Sequence, residues 1–104
     1  MNQIHHWIAG NEVKGASGRT GDVYDPATGQ ISGKVDFANN SEVDHAVSIA
    51  KTAFIEWSTT SITKRTQIMF AFRHLLNERK SEIAALITNE HGKVLPDALG
   101  EVTR

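Results

Sequence analysis

The stretch at residues 89–104 constrains the fold most, because it contains the end of one helix and the start of another. Gly92 follows an apolar helical pattern and suits the position just past a helix C-terminus. Pro96 suits the first turn of the next helix, where a missing backbone N–H costs nothing. That helix reaches Arg104 without a helix-ending signal. Because natural domains seldom stop inside a helix, the pattern predicts a piece of a longer polypeptide.

The order of the patterns predicts an α+β fold with short N-terminal β-hairpins followed by three to four helices. Residues 1–40 are glycine-rich and predict the hairpins, whereas residues 41–104 follow a helical period. The first hairpin is expected to pair residues 7–9 with 12–14 around a two-residue turn at Gly10 and Asn11. Two further strands, at 22–24 and 30–35, flank a turn in which Gly29 tolerates positive φ.

The helices are predicted from capping residues and apolar spacing. The first is expected to begin at Ser41, with Asp44 three residues later as a relative of the capping box. The second is expected at about Ile62, capped by Ser61 or Thr63, and residues 77–81 are expected to form a joint before the third. The apolar side chains at helical spacing predict buried faces. They are Val43, Ala46, Val47, Ala50, Ala53, Phe54 and Trp57, then Ile68, Met69, Phe72, Leu75 and Leu76, then Ile83, Leu86 and Ile87.

Composition excludes several kinds of function. The formal net charge is −1, from 11 basic and 12 acidic residues, which gives no electrostatic footprint for nucleic acid or an anionic membrane. No cysteine is present, so these residues hold neither a disulfide nor a cysteine nucleophile. There is no signal-peptide pattern, and no apolar run approaches the roughly 20 residues of a membrane helix. We therefore expect a cytoplasmic protein.

Three features that resemble ligand sites are better explained as structure. Gly15, Gly18 and Gly21 lack the spacing of a phosphate loop, and no helix follows them. The histidines form no i, i+4 pair, so no metal site is expected. Without a basic surface, the aromatic side chains are expected to be core residues rather than a base-stacking platform. These aromatics are Trp7, Phe54, Trp57, Phe70 and Phe72.

Arg104 is the candidate site residue. Helical spacing places it on one face with Asp97 and Gly100. Spacing alone favours an exposed arginine paired with Glu101 at i, i+3. The alternative is a ligand contact, which Gly100 supports, because a glycine within a helix needs a packing or access reason.

Five motifs in order, covering nearly the whole chain, resemble one known family. Residues 7–13 are similar to its opening hairpin, and residues 24–29 to its "x-N-P-A-T-G", with Asp25 replacing asparagine. Residues 50–57 are similar to its "A-x-x-A-F-x-x-W", and residues 86–93 to its "L-I-x-x-E-x-G-K". Together with residues 98–104 (Ala-Leu-Gly-Glu-Val-Thr-Arg), they resemble the aldehyde dehydrogenases, and most of all the methylmalonate-semialdehyde dehydrogenase branch.

The resemblance implies an NAD-dependent enzyme that oxidises a carboxylated aldehyde and releases it to coenzyme A as an acyl-CoA, in valine and pyrimidine breakdown. It implies that residues 1–104 form the N-terminal part of the dinucleotide-binding domain within a Rossmann-like α/β fold. The family's catalytic and cofactor-binding residues lie beyond this stretch, so the chain alone is expected to be inert and to bind no cofactor. Arg104 matches the branch arginine that holds the substrate carboxylate. The implied partners are the remainder of the polypeptide and a second or further copies, as a homodimer or homotetramer.

Two alternatives stay open from the sequence. The chain could belong to another aldehyde dehydrogenase branch, or be a stand-alone helical module for protein interaction. Chain length favours the module, whereas the motifs and the missing terminator favour the enzyme fragment.

Overall fold

The computed structural model describes residues 2–104, and it confirms an α+β architecture of short strands followed by helices. The strands are β1 (Asn2–Ile4), β2 (His6–Ile8), β3 (Asn11–Val13), β4 (Thr20–Tyr24) and β5 (Ile31–Asp36). The helices are α1 (Asn40–Thr59), α2 (Ile62–Glu78), α3 (Lys80–His91) and α4 (Leu95–Thr103).

The larger sheet has three strands in the order β1-β5-β4, with β5 in the centre. β4 and β5 are antiparallel, as their short connection predicts, and their register shifts between Val23 and Tyr24. β1 lies parallel to β5, with Gln3 opposite Lys34. Sequence analysis did not predict β1, because its pairing partner is about thirty residues away and its three residues carry no alternating pattern.

The predicted first hairpin is present, but its turn lies one residue earlier than expected. Ile8 pairs with Asn11, which leaves Ala9 and Gly10 as the turn residues. Both have positive φ, 54° and 76°, as a two-residue hairpin turn of the primed type requires. Asn11 therefore belongs to β3, and its side-chain amide donates to the Ala9 carbonyl at 3.0 Å.

The connection between β4 and β5 confirms the predicted turn. The Asp25 carbonyl accepts hydrogen bonds from the backbone N–H of Thr28 and of Gly29, at 3.3 and 2.7 Å. The Asp25 carboxylate also accepts from the Ala27 N–H at 2.8 Å. Gly29 has φ 72°, as predicted from its tolerance of positive φ.

The cap of α1 lies two residues before the predicted one. Asn39, rather than Ser41, accepts the Glu42 N–H with its side chain at 2.9 Å. Glu42 returns the contact by accepting the Asn39 N–H, also at 2.9 Å. This reciprocal pair is a capping box. The predicted Ser41–Asp44 pair is wrong, because the side chains of Asn39 and Glu42 already bind the two backbone N–H groups at the start of the helix.

The joint between α2 and α3 is also shorter than predicted. The Ser61 hydroxyl accepts the Lys64 N–H at 3.3 Å, which confirms Ser61 as the cap of α2. α2 then continues to Glu78, and only Arg79 separates it from α3. The expected joint at 77–81 was too wide because the Arg79 N–H still bonds to the Leu75 carbonyl in the helical pattern.

The described chain divides into two compact units. One contains the residues up to Tyr24 together with Ile31–Thr59, and the other contains Asp25–Gln30 together with Thr60–Arg104. All five strands and α1 therefore lie in one unit, and α2, α3 and α4 lie in the other. Within the second unit α3 packs against α4, and each helix contributes one fully buried alanine, Ala84 and Ala98.

The predicted apolar faces lie on helices, but most of their large side chains are exposed. All five aromatic residues expected in the core are exposed, including Trp7 at 74% and Phe54 at 64%. The prediction that they are core residues is wrong for residues 2–104, because no second layer of these residues covers those faces. The exposed aromatics and large aliphatics of the three long helices include Trp57, Ile68, Met69, Phe70, Phe72, Leu75 and Leu86.

Candidate functional site

The α4 segment, residues 92–104, presents the candidate site residue, and its path is fixed by a glycine and an extended residue. Gly92 has φ 80° and donates its N–H to the Thr88 carbonyl at 2.9 Å, which confirms the predicted end of α3. Val94 is extended, and its carbonyl accepts the N–H groups of Asp97 and Ala98 at 3.1 and 3.2 Å. The chain therefore reverses immediately before α4.

One face of α4 is exposed, as helical spacing predicted. Ala98 is fully buried and Val102 is half-buried, whereas Asp97, Gly100 and Arg104 are exposed. A Cβ added at Gly100 would meet no heavy atom within 4 Å. Within the described residues, packing therefore does not require glycine at this position.

Glu101 is paired with Lys93 rather than with Arg104. The Lys93 Nζ donates to the Glu101 carboxylate, and both side chains are about one-third exposed. The i, i+3 pair expected from spacing is absent because the reversal at Gly92 brings Lys93 alongside α4. The Lys93 ammonium lowers the pKa of Glu101 below its usual value, and the nearby charges of Arg104 and His91 add to this.

A second side chain from α3 also reaches α4. The Lys80 ammonium, at the first residue of α3, donates to the Thr103 hydroxyl, which itself bonds to the Leu99 carbonyl at 3.0 Å. Two lysines, one at the first residue of α3 and one just after its end, therefore hold the last turns of α4.

Arg104 lies at the C-terminal cap of α4, and its side chain is exposed. Its backbone N–H bonds to the carbonyls of Gly100 and Glu101 at 3.3 and 3.2 Å. Within residues 2–104 its guanidinium forms no ion pair. A guanidinium in this state retains its planar set of donors, which matches a carboxylate in bidentate geometry.

Asp36, which was not predicted from the sequence, accepts hydrogen bonds from three residues of the first unit. Its Oδ2 accepts from the His5 ring nitrogen Nδ1 at 2.7 Å and from the Gly15 N–H at 2.7 Å. Its Oδ1 accepts from the Gln3 side-chain amide at 2.5 Å. The His5 hydrogen bond, followed by that of Gly15, lowers the pKa of Asp36. No local pattern could have shown this, because all three partners are distant in sequence.

Glu42 also accepts hydrogen bonds from backbone N–H groups of the first unit. Besides capping α1, its carboxylate accepts the Ala16 N–H at 2.6 Å, and the His6 ring lies 3.8 Å away. The N–H groups of Asn39 and Ala16 lower the pKa of Glu42. The capping-box spacing from Asn39 to Glu42 was the signal in the sequence that could have identified this residue.

No metal or membrane feature accompanies these sites. Across residues 2–104, no group of three or more His, Cys, Asp or Glu side chains is placed to hold a metal ion. In the same part of the chain, no helix is both long and apolar enough to cross a membrane.

The sequence matches a known family over most of its length. The profile of the aldehyde dehydrogenase family matches residues 13–104, and the chain belongs to this family. The motif resemblance is thereby confirmed.

Individual relatives are named for semialdehyde substrates. The chain is 39% identical over 104 residues to malonate-semialdehyde dehydrogenase of Pseudomonas aeruginosa, covering all of this chain and 21% of that protein. A structure from Oceanimonas doudoroffii, methylmalonate-semialdehyde dehydrogenase, is 41% identical with a TM-score of 0.93, over 99% of this chain and 21% of its own. A protein of Sinorhizobium meliloti assigned to the same activity, in complex with NAD, is 36% identical with a TM-score of 0.95. The match covers 100% of this chain and 21% of that protein. The chain thus spans about a fifth of the length of these relatives.

The loop at Gly15 and Ala16 does not fit the phosphates of a dinucleotide. The Gly15 and Ala16 N–H groups, which a phosphate would need, are already bonded to the Asp36 and Glu42 carboxylates. Two ionised carboxylates at that loop would also repel an anion. No step of a nicotinamide or coenzyme A reaction is therefore assigned to these residues.

Proposed function

We propose that the chain is the N-terminal part of the dinucleotide-binding domain of an NAD-dependent, CoA-acylating malonate- or methylmalonate-semialdehyde dehydrogenase. The family match over residues 13–104 supports an aldehyde dehydrogenase, and the names of the relatives support this choice of branch. The NAD complex of one relative supports the choice of cofactor. NAD and coenzyme A are assigned to the remainder of the polypeptide, because the described loop amides are engaged by carboxylates.

Arg104 carries the substrate assignment within this chain. Its guanidinium is exposed and has no ion-pair partner among the described residues, and its position matches the arginine of the branch motif. A carboxylated aldehyde offers the planar, doubly accepting group that a guanidinium binds through two parallel N–H donors. Arg104 therefore binds and orients the substrate carboxylate in the whole enzyme. Exposed Gly100, one turn earlier on the same face, leaves room for the substrate to approach.

The chemistry at the aldehyde carbon belongs to residues outside the chain. No cysteine is present among the 104 residues, and the family's reaction uses a cysteine thiolate as nucleophile. The proposal includes a cytoplasmic location and assembly as a homodimer or homotetramer, both of which rest on the family resemblance.

The function is tested with the protein encoded by the full reading frame that contains these residues. We expect NADH formation from methylmalonate semialdehyde that depends on coenzyme A, and none from the purified 104-residue chain, which lacks a thiol. Steady NADH production by the 104-residue chain would contradict the proposal.

The same assay separates the alternatives. Preference of the full-length protein for an uncharged aldehyde such as propanal would indicate another branch of the family. Absence of aldehyde oxidation with any substrate would favour an interaction module.

A further inference from the structure

The nearest acidic group on Arg104's own helix is Glu101, three residues earlier. The Arg104 N–H bonds to the Glu101 carbonyl at 3.2 Å, so the two residues share the last turn of α4. Glutamate and arginine at this spacing on a helix ordinarily attract each other. A Glu101 carboxylate bound to the Arg104 guanidinium would occupy the donors that a substrate carboxylate needs.

Lys93 prevents this pairing by binding Glu101 from outside the helix. It follows Gly92 directly, so the left-handed turn at Gly92 sets its backbone beside α4. Its ammonium donates to Glu101 Oε1, and Glu101 is half-buried at that point. The contact links residues eight positions apart and does not depend on the helical spacing that favours Arg104.

We propose that Lys93 is a positioning residue that holds the Glu101 carboxylate and so leaves the Arg104 guanidinium uncommitted for the substrate carboxylate. This inference rests on the proposed function of Arg104. It adds that the arginine works because a neighbouring lysine neutralises its competitor.

A purely structural role for the ion pair is the competing explanation. In that case Lys93 and Glu101 would only fasten α4 after the Gly92 turn, as Lys80 does through Thr103. A fastening role predicts equal effects on every substrate, whereas a positioning role predicts an effect only on aldehydes that carry a carboxylate.

The test uses steady-state kinetics of the full-length enzyme with methylmalonate semialdehyde and with propanal. Lys93→Gln releases Glu101, and KM for methylmalonate semialdehyde should rise roughly two- to fivefold, the range that a partly exposed ion pair permits. Turnover of propanal should not change. In the double variant Lys93→Gln/Glu101→Gln, no competing carboxylate remains, so KM should return close to the wild-type value. Lys80→Gln is the matched control, since it removes another lysine contact to α4 without releasing an acid, and should affect both aldehydes alike.

Two results would overturn the inference. If the double variant is as impaired as Lys93→Gln, or if Lys93→Gln affects propanal equally, then the pair is structural. Arg104→Ala is measured in the same series. Equal loss with both aldehydes in Arg104→Ala would refute the proposed function itself, whereas a selective loss there with no effect of Lys93→Gln would refute the inference alone.

Discussion

The carboxylates of the strand region and the carboxylate of α4 are all held with lowered pKa values, but by different partners. The pKa of Asp36 is lowered first by the His5 ring and then by the Gly15 N–H, and the pKa of Glu42 is lowered by the N–H groups of Asn39 and Ala16. Glu101 accepts the side-chain ammonium of Lys93.

This difference separates carboxylates that bind the backbone from the carboxylate at the proposed binding surface. A carboxylate bonded to backbone N–H groups fixes the path of the chain, and those groups lose their partner if it leaves. A carboxylate bonded to a lysine can exchange one cation for another without moving the backbone. Asp36 and Glu42 therefore anchor the loop at residues 14–19, whereas Glu101 is proposed to set the charge balance around Arg104.

The largest effect is expected where a carboxylate holds the backbone. Asp36→Asn removes the charge that three donors share and leaves one acceptor oxygen where two served them, so the hold on the Gly15 N–H weakens. We expect hydrogen exchange at residues 14–19 to accelerate by about thirtyfold or more at neutral pH. Asp22→Asn is the control, because its exposed pair with Lys34 at 2.9 Å should change exchange little.

The same substitution should remove an acid-sensitive step. Because the pKa of Asp36 is lowered from 3.8, its contribution to stability is fully present above that value and is lost as the pH falls through the folded pKa. Wild-type protection at residues 14–19, corrected for intrinsic rates, should therefore fall only below about pH 4. An identical acid profile in Asp36→Asn would show that this carboxylate does not anchor the loop.

Smaller effects are expected when either of two glycines in the α4 segment is replaced by alanine. The two replacements should change the stability of α4 in opposite directions. Gly92→Ala places a Cβ in a left-handed conformation, which costs about 1–2 kcal/mol, and 3.1 Å from Pro26 Cγ. Gly100→Ala meets no atom within 4 Å and improves helix propensity by up to about 1 kcal/mol.

Amide exchange of α4 in the 104-residue chain should therefore become roughly 5- to 30-fold faster in Gly92→Ala, and up to about fivefold slower in Gly100→Ala. Equal effects of the two changes would mean that the Gly92 turn does not set the position of α4.

Local features of the fold were predictable from the sequence. Gly92 in the left-handed region, Pro96 in the first turn of α4 and Ser61 as the cap of α2 each follow from backbone chemistry within a few residues. The exposed face that carries Arg104 followed from helical spacing alone.

Non-local contacts were not predictable. The partners of Asp36 are 21 to 33 residues away from it, and β1 pairs with the equally distant β5. Lys93 reaches Glu101 only because the chain reverses at Gly92. Phe54 and Phe70 are exposed in this chain, and a helical pattern marks an apolar face without showing which layer covers it.

Arg104 is proposed as an uncommitted cation for a substrate carboxylate, and one measurement tests this role most directly. In the full-length enzyme, kcat/KM of Arg104→Ala is compared for methylmalonate semialdehyde and propanal. Losing a charge-assisted pair costs about 1.5–3 kcal/mol, so kcat/KM for the carboxylated aldehyde should fall roughly ten- to more than a hundredfold. Arg104→Lys should recover only part of this, because lysine lacks the planar donors. Propanal turnover should stay nearly unchanged, and an equal loss with both aldehydes would contradict the account.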